Sequence, residues 1–240
     1  TDAPGGLAVT AEGNGAVGLS WNGVGGAAGY NVYRSPLSGG GYVKVTTTGG
    51  TTLTDSNLRS GQTLYYVVRA LDGAGNESGS SNEVSALPHY TIGWANLQWP
   101  PTLDHIVSVL NRTDNIYGQV WIDGVTNQPG ATPTLRAQLG YGPDKSDPAD
   151  GKNGWIWVDA AFNGDSGNND EFVASLLPET TGTFDYAYRY TTTNGREWLY
   201  ADRDGTGNGY SPDQAGDLIV ESTGDTSAPA TPGGLRVVSA

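Results

Sequence analysis

Thr183-Phe184-Asp185-Tyr186-Ala187-Tyr188-Arg189-Tyr190 sets four aromatic side chains two residues apart, with Asp185, Ala187 and Arg189 between them. Successive side chains of a strand turn to opposite faces, so this spacing predicts a β-strand whose aromatic row packs against a core. A helix would scatter the same rings around its circumference. Working outward, further strand-like runs fall near 91–99, 105–110, 116–122, 134–141, 155–161, 171–177, 197–202 and 217–221. Turn pairs such as Asp123-Gly124 and Asn194-Gly195 separate them, the latter closing a hairpin between 184–192 and 197–202. No segment sustains a helical period. The expected class is all-β, with residues 89–224 forming an antiparallel β-sandwich or jelly roll.

Residues 1–88 show the same period in Val17-Leu19-Trp21, Tyr30-Val32 and Leu64-Tyr66-Val68-Ala70. Seven short runs, near 7–11, 16–22, 29–35, 42–46, 51–55, 63–72 and 82–87, make a sandwich count. Ala3-Pro4 with Leu7, Leu19-Ser20-Trp21, Gly29 through Ser35, Leu58 with Gly61, and Ala70 through Ser78 carry a likeness: the segment resembles a bacterial fibronectin type III domain. It departs from that pattern where Leu64 replaces the tyrosine expected three residues after Gly61, which removes the hydroxyl of a tyrosine corner. Gly23-Val24-Gly25-Gly26-Ala27-Ala28 leads into a strand and so reads as a turn, not a dinucleotide loop. The string Pro4-Gly5-Gly6-Leu7-Ala8-Val9 returns as Pro232-Gly233-Gly234-Leu235-Arg236-Val237. Residues 225–240 are therefore expected to begin a further repeat of the first kind, as in a piece of a longer array.

The chain has 240 residues, enough for two domains that each bury a core, and no cysteine, which excludes disulfides, thiolate metal sites and a cysteine nucleophile. Its net charge of −13 is concentrated: residues 89–224 hold eighteen acids against seven bases, residues 1–88 six against four. Such a surface repels nucleic acid and anionic membrane and leaves cations or neutral, hydroxyl-rich ligands as expected partners.

Six of the seven tryptophans lie beyond residue 89. Trp155 and Trp157 alternate with Ile156 and Val158, which suit a core, so the pair either faces solvent as a sugar-stacking platform or packs inward. Trp94 and Trp99, in Gly93-Trp94-Ala95-Asn96-Leu97-Gln98-Trp99-Pro100-Pro101, complete the candidate ligand set. That segment, Ile116 through Trp121, Gly167 through Phe172, Gly182 through Tyr190 and Tyr200-Ala201-Asp202 resemble an accessory β-sandwich module of secreted amylopullulanases. The resemblance implies an extracellular, non-catalytic neighbour of starch-degrading machinery, with α-glucan and adjoining domains as partners and a monomeric state.

Asp202, Asp204, Thr206, Asn208 and Asp213 place oxygens near the positions of a twelve-residue calcium loop, with Gly207 at its sixth position; Asn163 through Glu171 is a second oxygen-rich stretch. Self-capping Asx turns explain either stretch without Ca2+. His89 and His105 stand apart, which leaves a histidine triad or two-histidine metal site without members, and no G-x-S-x-G, H-E-x-x-H or P-loop occurs. The function readings are a weak α-glucan-binding accessory segment, a spacer stiffened by calcium, or a small catalytic domain with two carboxylates across a cleft.

Overall fold

The computed structural model describes residues 1–151 and 154–222; the expected repeat start at 225–240 lies outside them. In the N-terminal unit the strands are β1 (Ala8–Gly13), β2 (Ala16–Ser20), β3 (Gly29–Ser35), β4 (Val43–Thr48), β5 (Thr52–Asp55), β6 (Leu64–Leu71) and β7 (Val84–Ala86). They form a three-stranded sheet, β1-β2-β5, and a four-stranded sheet, β4-β3-β6-β7. Their alternating apolar positions meet between the layers: Val17, Leu19 and Trp21 from one side, Tyr30, Val32, Tyr66, Val68 and Ala70 from the other, all buried. Each fully buried aliphatic side chain stabilises the unit by about 1.5–3 kcal/mol relative to exposure. Leu64 is itself in this core, so the position expected to lack a corner hydroxyl gains apolar packing.

The C-terminal unit comprises β8 (Trp94–Trp99), β9 (Thr102–Ile106), β10 (Ile116–Trp121), β11 (Arg136–Pro143), β12 (Ile156–Ser166), β13 (Asn169–Ala174), β14 (Gly182–Thr191), β15 (Leu199–Ala201) and β16 (Gly216–Glu221). Hydrogen bonds run in the order β8-β10-β13-β12-β11-β14-β16-β9, with β15 beside β14. The long β12 turns the path back on itself: Ile156 to Ala160 pair with β11, and from Ala161 the strand pairs with β13 through a register shift at Phe162/Gly164. Two layers result, β8-β10-β13 and β11-β14-β16-β9, joined through β12.

One pair departs from the antiparallel expectation. β9 runs parallel to β16, Thr102 opposite Asp217 through Ile106 opposite Glu221. No short loop can join parallel neighbours, so this pairing between the beginning and end of the unit has no local signature.

The aromatic row of β14 does face the core: Tyr186, Tyr188 and Tyr190 are fully buried and Phe184 packs beside them. Their hydroxyls find partners in the opposite layer and its exit, Tyr186 donating to the Pro100 carbonyl (2.5 Å), Tyr188 to Ile116 (2.7 Å) and Tyr190 to Asn96 (3.0 Å). A buried phenol needs such an acceptor, and three in register pin the two layers. Gly118 on β10 leaves the space these rings occupy, since a Cβ there would clash with Tyr190 and Tyr188. Asn194 (φ 56°) and Gly195 (φ 85°) supply the positive backbone angles of the expected turn between β14 and β15.

These contacts also orient the chain. β8 runs from the level of Tyr190 to that of Tyr186, and β9 continues alongside β16 toward Glu221 at the Gly182 end. The unit is therefore entered at one end and left at the other. At the entering end Leu87 and Pro88 are buried, Gly61 N–H donates to the Pro88 carbonyl (2.7 Å), and the Ser60 hydroxyl reaches the Thr192 carbonyl (3.4 Å).

Candidate functional site

The two outer faces of the C-terminal sandwich hold the tryptophans differently. On β12, Val158, Ala160 and Phe162 pack on the core, so Trp155 and Trp157 emerge outside, as period two requires. They do not stand free. Their rings stack on each other (5.4 Å between centroids, 18° between planes), and the Arg189 guanidinium lies over Trp157 at 4.1 Å and over Trp198 at 4.2 Å. Tyr210 meets Trp155 edge-on, and Trp155 Nε1 donates to Ser146 Oγ at 2.9 Å. Gly140 and Gly142 on β11 form the bed beneath, because a Cβ on either would run into Trp157 or Trp155. The result is a column, Trp155-Trp157-Arg189-Trp198, in which both faces of Trp157 are covered.

The other outer face presents an open aromatic corner. Trp99 on β8 is 61% exposed and lies opposite Tyr117 of β10. Together with Gln98 and Glu171 they line a shallow hollow of ≈ 300 Å3. Beside it, carboxamides interlock across β10, β13 and β12: Asn169 Nδ2 donates to Gln119 Oε1 (3.0 Å), Gln119 Nε2 to Ser166 Oγ (2.8 Å), and Asn163 Nδ2 to Glu171 Oε1 (2.6 Å). This face offers an exposed ring, donors and acceptors within one plane. Trp94, at the opposite end of β8, packs against the turn at Gly205, whose Cβ would strike its indole. Sequence reasoning missed Tyr117 and Gln98 and read Glu171 only within an oxygen-rich stretch; the alternation of Tyr117 on β10 and Glu171 on β13 with buried neighbours was the available signal.

The calcium set comes together only in part, with the side chains of Asp202 and Asp204 hydrogen-bonded to each other. Asp202 is fully buried and spends its oxygens on the Gly205 N–H (3.1 Å) and the Ser211 N–H (2.8 Å), while Asp204 accepts from Asn208 Nδ2 (3.1 Å). Thr206 Oγ1 accepts from the Ala95 N–H, and Asp213 turns outward to Lys145 (3.5 Å). Asp202 and Asp204 thus cap their own turn, while Asp213 stands apart from them. Among the described residues, no three His, Asp or Glu side chains are grouped to hold a metal ion. Burial pushes the carboxyls of both Asp202 and Asp185 up to about 6; a hydrogen bond to Asp204 adds to the first, and nearby Asp144 and Asp217 add to the second.

No protein-family model matches the chain. An amylopullulanase from Thermoanaerobacterium thermosulfurigenes is 39% identical over 211 residues, 82% of this chain and 11% of that protein. One from Thermoanaerobacter thermohydrosulfuricus is 36% identical over 237 residues, 92% of this chain and 16% of its own length. The chain is homologous to segments of amylopullulanases. It thus spans 11% to 16% of the length of these curated relatives. A poly(3-hydroxybutyrate) depolymerase from Ralstonia pickettii shares 45% identity over 84 residues, 35% of this chain. Among solved structures, a Fn3-like protein from Clostridium thermocellum is 37% identical, covering 37% of this chain and 91% of that one with a TM-score of 0.33. No helix among the described residues is long and apolar enough to cross a membrane.

Proposed function

We propose that the chain is a non-catalytic segment of a secreted, multidomain polysaccharide-degrading enzyme, in which the type III unit sets distance and the C-terminal sandwich binds α-glucan weakly through the Trp99 face. One observation carries this reading: Trp99 is a largely exposed indole on a rigid strand, with Tyr117, Gln98 and Glu171 around a shared hollow. An indole face stacks on the apolar face of a sugar ring, and neighbouring carboxamides and a carboxylate hydrogen-bond its hydroxyls. So small a contact yields about millimolar affinity, raised by repetition along a parent chain. The homologous amylopullulanase segments supply the choice of α-glucan.

Pullulan or soluble starch should retard the full chain in an affinity gel. Trp99→Ala should abolish the retardation without unfolding, because the side chain is exposed. Wild-type migration unaffected by any α-glucan would overturn the reading. It would favour a second one, a pure spacer, which draws support from the covered ring faces of Trp155 and Trp157.

A further inference from the structure

Three of the twelve basic side chains gather where the two units meet: Arg59 ahead of β6, Arg136 opening β11 and Arg196 in the β14–β15 connection. Arg196 reaches Thr63 Oγ1 at 3.4 Å across the junction. Arg136 has one ion pair, a long 3.5 Å contact to the solvent-exposed Asp159, and Arg59 has neither hydrogen bond nor ion pair among the described residues. Arg59 and Arg136 line one cleft of ≈ 250 Å3, with Gln62, Thr134 and Asn194 among its other walls and no carboxylate. In a chain of net charge −13, that is a local reversal of sign.

Thr134 adds a second, independent feature. Its hydroxyl is buried without a partner, and its backbone sits at φ 69°, the left-handed region that a β-branched residue rarely occupies. Both cost free energy, and the strained backbone, in a residue that lines the cleft, is an outlier of the kind that clusters at ligand sites. From this geometry we infer that the cleft is a binding site for a small oxyanion, a carboxylate or a sulfate or phosphate ester, held by the two guanidinium forks with the Asn194 and Gln62 amides around it. Guanidinium pairs with such groups in two parallel hydrogen bonds. The acidic surface beyond the cleft restricts the ligand to a single charged group rather than a polyanion. Since Arg59 belongs to one unit and Arg136 to the other, an occupant bridges them. This site is separate from the Trp99 face and does not depend on glucan binding.

The test uses the full chain at constant ionic strength, titrated with sodium acetate and, separately, with sodium sulfate. The 1H–15N signals of Gly61, Asn194 and the Arg59 and Arg136 Nε groups are followed. A saturable shift at these groups with roughly millimolar affinity is expected, weakened at least tenfold by Arg59→Gln or Arg136→Gln and unchanged by Arg112→Gln, which lies elsewhere. Acetate acting alone would assign a carboxylate ligand, and sulfate acting alone an ester. Both arginines are exposed, so the variants should fold, and their amide spectra verify it. The inference is overturned if neither anion gives a saturable shift, or if the double variant responds like the wild type.

Discussion

Trp157 and Trp99 sit on opposite outer faces of one sandwich, yet the first has a ring or guanidinium on both sides while the second is 61% exposed and stacks on no ring among the described residues. Outward orientation is therefore not availability. On β12 the glycines beneath let the indoles lean across the sheet and cover one another; on β8 the strand ends at Pro100 and the indole projects past its neighbours. The column packs on the sheet, and the corner stays open to solvent.

The largest expected effect tests the column. Trp157→Ala should destabilise the C-terminal unit by about 2–3 kcal/mol, since it removes packing on Gly140 and one side of the Arg189 sandwich. Urea unfolding of the full chain measures it, and a loss below about 0.5 kcal/mol would erase the distinction between the faces.

Next in size is a pH effect on the column's side of the sheet. Asp185 is held up at about 6, against roughly 3.9 in an unfolded chain, because burial disfavours its charge. The folded form thus binds the proton more tightly, so this contribution is whole below about pH 4 and is lost as pH rises toward 6. Asp202, raised the same way, adds to the slope. Asp185→Asn, which keeps an acceptor for the Lys145 N–H, should raise the Tm at pH 7 by several degrees and flatten its decline between pH 4.5 and 7. A variant with the wild-type pH slope would break this account.

On the open face the effects are smaller. Gln119→Ala should cost about 1 kcal/mol, because it frees Asn169 and Ser166 to bond with water instead; a loss above about 3 kcal/mol would mean that this face, too, is structural. Trp99→Ala should change stability by less than about 0.5 kcal/mol, and glucan retardation is the readout it should remove. Equal stability losses for Trp99 and Trp157 would end the comparison.

Much of this was legible in the residues. The seven strands of the first unit and the buried side of β14 follow from period two alone. The direction of Trp155 and Trp157 was left open between solvent and core, and of the two neighbours that pointed outward for them Val158 packs on the core while Ile156 is itself exposed. What covers them was not legible, since Arg189 and Trp198 arrive from other strands whose register is set by tertiary pairing. The Asp202 turn shows the complementary limit: calcium-loop spacing and self-capping share a composition, and the aim of the Gly205 and Ser211 N–H groups at Asp202 could not be read from it. Thr134 gave no sign of its left-handed backbone, because threonine is not a residue that advertises one.

The parallel pairing of β9 with β16 bears on how the unit carries load. A pull on the preceding unit enters through β8 and β9, and a pull on whatever follows Glu221 leaves through β16 in the opposite sense. The two strands are then drawn lengthwise past each other, so their slanted, evenly spaced hydrogen bonds share the tension together instead of opening one at a time. Parallel strands loaded in this sense are sheared along their length, not peeled apart from one end.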